Sequence, residues 1–202
     1  MRANLLAVTV LAVSLAGGAA QAAESSATTS ELAGRVCATC HGPTGNSIAP
    51  TFPRLAGQQA EYLDVQIRAF RDQSRADPHA QAYMWGMASK LTDQTIKELA
   101  EFYSSQTPVA GTHSNDPEVA AGEKIFREGV EAQEVPACQT CHGEKAEGNS
   151  AIPRLAGQHR GYLEKQLEAF AANLRANEIM HNNSKNLTAL QISQVAAFLS
   201  AQ

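Results

Sequence analysis

The chain has 202 residues, and 16 basic side chains are outnumbered by 20 acidic ones, for a formal net charge of −4. This balance provides no basic surface for a nucleic-acid backbone and argues against lasting attachment to an anionic bilayer. Aromatic residues make up only 5% of the sequence, which is little material for the cores of small domains. Such domains often depend on a metal or a cofactor.

Residues 1–22 have the order of a secretory signal peptide. A basic start at Arg2 precedes an apolar stretch from Leu5 to about Ala16, and Ala20-Gln21-Ala22 forms a small-residue cleavage site. The alternative is an uncleaved membrane anchor, but the stretch is shorter than the ~20 apolar residues of a spanning helix. The pattern predicts export and cleavage after Ala22.

Helical patterns follow in the first half. Thr28-Thr29-Ser30-Glu31 has the form of a capping box, and the short helix that it begins runs into Cys37. A second helix ends before Asp77-Pro78, and Thr92 caps a third. The second helix has one face formed by Tyr62, Leu63, Gln66, Ile67 and Phe70.

The second half is also predicted to be helical. Asp116-Pro117 is an N-cap followed by proline at the first helical position, and helices follow at about Gly161–Ala172 and Thr188–Ser200. No segment alternates with period two for long enough to indicate a strand. Proline and glycine make 106–115 a linker. The sequence therefore predicts an all-α protein with domains at 23–105 and 116–202.

All four cysteines belong to two Cys-x-x-Cys-His runs, at 37–41 and 138–142. This motif is the attachment signature of c-type haem. Two thiols three positions apart on a helix lie along one edge of a porphyrin, and the next residue, His41 or His142, becomes an axial ligand of the iron. The covalent attachment residues are then Cys37, Cys40, Cys138 and Cys141.

Three other uses of these cysteines fit the sequence less well. Two disulfides would leave the histidine after each pair unexplained. A zinc site is disfavoured by the ~97 residues between the pairs, against the 15–20 of a zinc ribbon. A thioredoxin-like motif would need a βαβ context. Haem attachment remains the prediction.

The second half repeats the first. Residues 53–58 recur unchanged as residues 153–158, the Gly-Asn-Ser run at 45–47 recurs at 148–150, and Leu91-Thr92 matches Leu187-Thr188. The repeat selects the second axial ligand, because Met84 and Met180 both lie seven residues before the matched leucine. A thioether opposite histidine is the electron-transfer arrangement. Met87 is then expected to pack near the haem edge, and His181, a possible competitor of Met180, to lie on the surface.

Two repeated residues leave alternatives open. The carbonyl groups of Pro53 and Pro153 are candidates to accept a hydrogen bond from the haem histidines, but both prolines are equally consistent with simple turns. Arg54 and Arg154 are candidates to neutralise haem propionates, or they face water.

The motifs as a set, over almost the whole exported chain, resemble the dihaem cytochrome c₄ family. The resemblance implies two tandem class I cytochrome c domains related by a pseudo-twofold axis, each around one of two covalently bound haem c groups. It implies ligation by His41 and Met84 in one domain and by His142 and Met180 in the other. Asn182-Asn183-Ser184 departs from the first module and puts the conformation of the second methionine loop in doubt.

The expected function is one-electron transfer in a respiratory chain, with no substrate turnover. The resemblance implies a periplasmic carrier, at most peripherally attached to the membrane, between a donor complex and a terminal oxidase. The alternative is the haem subunit of a dehydrogenase complex such as a flavocytochrome c. A dihaem enzyme such as a peroxidase is disfavoured, because a methionine is supplied to both modules and no acid–base cluster is evident near either.

Overall fold

A computed structural model describes residues 29–202. The predicted signal peptide and Thr28 of the predicted capping box lie outside the described residues. The described part is built from helices and loops, and its only extended pairings are two isolated bridges, Val130 with Val135 and Asn149 with Ile152. The all-α prediction is confirmed. No helix in residues 29–202 is long and apolar enough to cross a bilayer.

The described part of the first half, from residue 29 onwards, contains four helices. Helix α1 covers residues 29–41, with a π-helical stretch at Ala33–Cys37 and an α-helical end at Ala38–His41. Helix α2 is Ala60–Arg71. Helix α3 covers residues 78–88 and joins a π-helical Ala80–Met84 to Trp85–Ala88. Helix α4 is Asp93–Ser104.

The second half continues with α5 (Pro117–Glu128), a 3₁₀ turn (Glu131–Gln133) and α6 (Gln139–His142). It ends with α7 (Arg160–Ala171), α8 (Glu178–Ser184) and α9 (Ala189–Ser200). Helix α1 leads directly into its cysteine motif, whereas residues 129–138 separate α5 from α6. This insertion is a difference between the two repeats.

Two of the predicted caps, at Thr92 and Asp116, form as expected. The hydroxyl of Thr92 accepts the Thr95 N–H at 3.1 Å, and Asp116 Oδ1 accepts the Glu118 N–H at 2.9 Å. Thr188 and Gln191 form a full capping box at the start of α9. Each cap satisfies a backbone donor that the first turn of a helix leaves unpaired.

Helices α3 and α8, which carry the two methionines, were not predicted. The sequence did contain a signal for each, because Asp77 and Asn177 lie at the helix starts. Asn177 Oδ1 accepts the Met180 N–H at 2.9 Å, and Asp77 Oδ1 lies 3.4 Å from the Ala80 nitrogen. The Asp77-Pro78 pair was interpreted only as a helix end, although it has the same form as Asp116-Pro117.

Each half has its own hydrophobic core. In the first half α2 packs on α4, around a cluster of Ala33, Leu63, Leu99, Ala100 and Tyr103. In the second half α9 packs on α5 and α7, around a cluster that includes Ile125, Phe126, Leu163, Val195 and Phe198. Cys37 packs against the first cluster and Cys138 against the second, so the core of each half is in contact with its own cysteine motif.

The two repeated Pro-Arg-Leu-Ala-Gly-Gln segments bind each other across the molecule. Gln58 accepts the Arg154 N–H at 2.7 Å and donates to the Arg154 carbonyl at 2.9 Å. Gln158 makes the same two bonds with Arg54, both at 2.9 Å. Because each half makes the same two hydrogen bonds to the other, these contacts define a pseudo-twofold axis between the halves.

The segment between the halves is held against both of them. Asn46 donates to the Thr107 carbonyl at 3.0 Å and accepts the Val109 N–H at 3.1 Å. A Cβ at Gly157, where φ is +70°, would lie 2.6 Å from the Val109 carbonyl oxygen. Glycine at this position allows the connecting chain to lie directly on the paired segments.

His159 adds a pH-dependent contact to this interface. Its Nε2 lies 2.9 Å from the Ser47 carbonyl oxygen, and burial, followed by the charge of Arg54, lowers its pKa below 6.5 despite that hydrogen bond. The folded protein therefore binds this proton less readily than the unfolded chain. We expect the free energy of unfolding to fall as pH falls below about 6.5 towards the folded pKa.

Chemical denaturation of the holoprotein at several pH values would measure this effect. Gln59, the repeat equivalent of His159, already contacts the Glu147 carbonyl at 3.0 Å, so His159→Gln is the matched variant. A smaller loss of stability between pH 7 and pH 5 is expected for this variant than for the parent. Equal losses would assign the pH dependence to other groups.

Candidate haem sites

The cysteine pairs lie at helical spacing next to a buried histidine. Cys37 and Cys40 are in α1, Cys138 directly precedes α6, and Cys141 lies within it. All four thiols are free. Burial raises the pKa of Cys37, and it raises that of Cys138 to about 11. The pairs are thus arranged as thiols on one helical turn and not as cystine.

The proline carbonyls do contact the histidines. The Nδ1 atom of His41 lies 2.9 Å from the Pro53 oxygen, and that of His142 lies 3.1 Å from the Pro153 oxygen. A carbonyl can only accept, so the proton is on Nδ1 and the Nε2 lone pair is free for a metal. Burial lowers the pKa of both histidines and favours this neutral form. Of the two roles that the sequence left open for these prolines, the structure shows the hydrogen bond to the histidine.

The methionines differ in their environments. Met84 is half-buried and packs against the cluster of Phe70, Ala80 and Ala88. Met180 is also half-buried, whereas the side chain of Met87 is 57% exposed. The two methionines chosen by the repeat are therefore the two that the fold brings inward. Met87 is mostly exposed to solvent, which limits the packing role expected for it.

His181 was expected to lie on the surface, and this is wrong. It is half-buried, and its Nδ1 lies 2.9 Å from the Phe170 carbonyl oxygen. Trp85, its repeat equivalent, donates from Nε1 to the Arg75 carbonyl at 2.8 Å. Both rings hold a methionine helix to the preceding segment.

The doubt about the loop after Met180 is also resolved. Ser184 ends α8, is fully buried and donates to the Met180 carbonyl at 2.6 Å. Ala88, its repeat equivalent, is likewise fully buried. The Asn-Asn-Ser departure therefore leaves the helix geometry intact.

The two Gly-Asn-Ser runs are identical in sequence but do not occupy equivalent positions in the fold. In the first half the Gly45 carbonyl accepts the N–H groups of Leu55 and Ala56, at 2.7 and 3.2 Å. In the second half the carbonyl of Ala146 accepts the corresponding bonds, at 2.8 and 3.1 Å. Gly148 therefore lies two residues beyond the equivalent of Gly45, and the pairing of the two runs is corrected.

Three buried polar atoms lack a hydrogen-bond partner in residues 29–202: Arg54 Nε, Arg154 Nε and the Tyr103 hydroxyl. Arg54 and Arg154 are thus not simply in water, and each keeps a buried donor that an anionic group such as a haem carboxylate would satisfy. Together with the free thiols and the histidine tautomers, these atoms fit one covalently bound haem in each half.

This fold and these two motif sites define a two-domain c-type cytochrome. The cytochrome c family model matches residues 26–107 and again residues 119–202. Cytochrome c4 of Pseudomonas aeruginosa is 35% identical over 97% of both chains. The cytochrome c4 structure of Acidithiobacillus ferrooxidans has a TM-score of 0.78 at 40% identity, covering 82% of this chain and 98% of that one.

A third relative is the thiosulfate dehydrogenase electron acceptor of Thiomonas intermedia, which is 35% identical over 96% of this chain and 90% of that protein. The chain belongs to the dihaem cytochrome c4 family. It is an electron-transfer cytochrome that binds two haem c groups covalently.

Proposed function

We propose that the protein is a periplasmic one-electron carrier of a respiratory chain and a donor to a terminal oxidase. In this proposal Cys37 and Cys40 bind the first haem and Cys138 and Cys141 the second, through thioether bonds. The axial iron ligands are His41 with Met84 and His142 with Met180. The observation that carries the assignment is the repeated pair of a buried, Nδ1-protonated histidine and a half-buried methionine.

The residues of the chain perform two tasks in this mechanism. The haem supplies a ferrous–ferric couple when bound. Pro53 and Pro153 fix the plane and tautomer of the ligating imidazoles and raise their basicity. Met84 and Met180 would each supply a soft thioether ligand to the iron of their half, which would raise its potential and leave no open position for a substrate. The chain therefore sets the potential and excludes other chemistry.

A spectroelectrochemical titration with measured haem stoichiometry tests the proposed ligation. We expect two haems per chain, both low-spin with a methionine–iron band, and two one-electron steps. Ready binding of carbon monoxide to one ferrous haem would show an open axial position and would contradict the proposed ligand set.

The acceptor requires a separate experiment. The reduced protein should be oxidised by membranes that contain a terminal oxidase, at a rate that rises with protein concentration and is abolished by an oxidase inhibitor. Absence of inhibitor-sensitive oxidation would contradict the oxidase assignment while leaving electron transfer intact.

The second candidate function is that of an electron acceptor for a dehydrogenase, by analogy with the thiosulfate dehydrogenase electron acceptor of Thiomonas intermedia. Reduction of the oxidised protein by purified thiosulfate dehydrogenase and thiosulfate would support this candidate. Purification as a stable complex with a flavoprotein would instead indicate the haem subunit of a flavocytochrome c.

A further inference from the structure

A tyrosine hydroxyl near the end of α4 is buried without a hydrogen-bond partner. Tyr103 is 2% exposed, and its hydroxyl is one of the three buried side-chain atoms of residues 29–202 that lack a partner. The other two are the arginine nitrogens for which a haem carboxylate is a suitable acceptor. A buried hydroxyl that gives up its bonds to water without a replacement destabilises a fold, so this one needs an acceptor of its own.

The ring that carries this hydroxyl is fixed in place. The Tyr103 carbonyl accepts the Gly57 N–H at 3.0 Å, and the ring packs edge-on against Phe102 with centroids 5.0 Å apart. A Cβ at Gly45, where φ is +78°, would lie 2.7 Å from Tyr103 Cδ1, so glycine allows the ring to lie directly on this loop. The position of the hydroxyl therefore follows from the packing of α4.

The hydroxyl is a neighbour of the first cysteine. Cys37 packs against the core cluster that contains Tyr103. Burial raises the pKa of the Cys37 thiol, and the Tyr103 hydroxyl is the largest influence that lowers it. Burial, followed by the charge of Cys37, also raises the pKa of Tyr103. The two groups thus face each other, although their orientation in the structure does not complete a hydrogen bond.

Haem attachment changes what the sulfur can do. The S–H group of Cys37 adds across a vinyl double bond, so that sulfur bonds to one carbon, hydrogen bonds to the other, and no electrons are gained or lost overall. A thiol can donate or accept a hydrogen bond, whereas a thioether can only accept. After attachment, a hydroxyl beside this sulfur can only act as the donor.

The second half has no such hydroxyl. Leu199 holds the position of Tyr103, since their carbonyls accept from Gly157 and Gly57 respectively, and it is 3% exposed. Cys138 packs against its own core cluster, as Cys37 does. The environment of the first cysteine is therefore distinct from that of the third, and the distinction is a single polar group.

We propose that the Tyr103 hydroxyl donates a hydrogen bond to the sulfur through which Cys37 is attached to the first haem. Tyr103 is then a positioning residue, because it holds this sulfur, and with it one edge of the haem, against α4. The bond supplies the acceptor that the polypeptide itself does not provide. The inference rests on the proposed attachment of the first haem through Cys37.

Tyr103→Phe tests the proposal by the sign of its effect on stability. Phenylalanine keeps the ring and its packing and removes only the oxygen. If the hydroxyl is bonded, the variant holoprotein should be less stable, by roughly two- to tenfold in the unfolding equilibrium constant. If the hydroxyl is unpaired, the variant should be more stable, by roughly fivefold or more. Chemical denaturation of both holoproteins measures the sign.

A vibrational measurement identifies the acceptor. Resonance Raman spectra of the parent holoprotein in H₂O and D₂O should show an isotope shift in one of the four C–S stretching bands, because deuterium replaces the hydroxyl proton bonded to that sulfur. Tyr103→Phe should lack this shift. Tyr83→Phe is the matched control, since Tyr83 is 47% exposed, and it should keep both the shift and the parent stability.

Peptide mass analysis separates the possible failures. A free Cys37 thiol in the parent holoprotein would contradict the proposed attachment itself. With Cys37 attached, a more stable Tyr103→Phe variant or the absence of an isotope-sensitive C–S band would overturn the role of Tyr103 and leave the attachment standing. A less stable variant whose C–S bands match those of the parent would indicate another acceptor and would also overturn the proposal.

Discussion

Replacing both Cys138 and Cys141 by alanine is expected to reduce the covalent haem content from two per chain to one. Attachment needs both thiols on one helical turn, and Cys138 packs against the core of the second half. Because small domains depend on their cofactor for core volume, the second half should also lose most of its stability. Intact mass and haem content per chain measure the first effect, and proteolysis of the second half measures the other.

Thr140→Ala is the matched control for this variant. Thr140 lies between the two cysteines and is exposed, so its replacement should leave two haems and the parent stability. The first half has a separate core around Leu63 and Leu99, and its visible spectrum should persist in the double cysteine variant. A chain that still binds two haems covalently would refute the assignment of these cysteines.

Local features of the sequence were sufficient for much of the fold. The cysteine motifs are contiguous, and caps such as Thr92 and Asp116 act within one turn, so neither depends on the rest of the chain. Because the sequence is repeated, a residue proposed for the site in one half must have an equivalent in the other half. This requirement selected Met84 and Met180 over Met87, and the structure finds the first two half-buried and the third exposed.

Contacts between the halves could not be predicted in this way. The identity of residues 53–58 and 153–158 indicated a duplication, but nothing in one copy specifies that Gln58 bonds to the backbone of the other copy. The same is true of Arg75 and Arg175, whose partners come from both halves. A sequence repeat shows which residues occupy equivalent positions in the two halves. The hydrogen bonds between the halves depend instead on how the two equivalent surfaces pack against each other.

The repeat also misled where the loops differ in length. Gly-Asn-Ser occurs twice, but the backbone bonds show that Gly45 corresponds to Ala146. Tyr103 and Leu199 hold corresponding positions, since their carbonyls accept from Gly57 at 3.0 Å and from Gly157 at 2.9 Å. Only the first half thus has a buried hydroxyl there. Such differences between the sites follow from the packing and not from the motifs.

Met84→Ala should remove the methionine–iron band from one haem and leave that of the other, so that the band falls to about half. The side chain is half-buried against Phe70, and alanine cannot reach an iron. The affected haem should bind carbon monoxide when reduced, because its axial position opens. Its potential should fall on the order of 0.1 V, since axial ligands set potentials over a range of ≈ 0.8 V.

Met87→Ala is the control that distinguishes loss of the Met84 ligand from a general disturbance of helix α3. Met87 lies on the same helix, three residues further along, and its side chain is 57% exposed. The alanine variant should keep both bands, both potentials and no carbon monoxide binding. Loss of the band in Met87→Ala but not in Met84→Ala would exchange their roles. Because Asn183 occupies the position of Met87 in the second half, that outcome would also break the equivalence of the two sites.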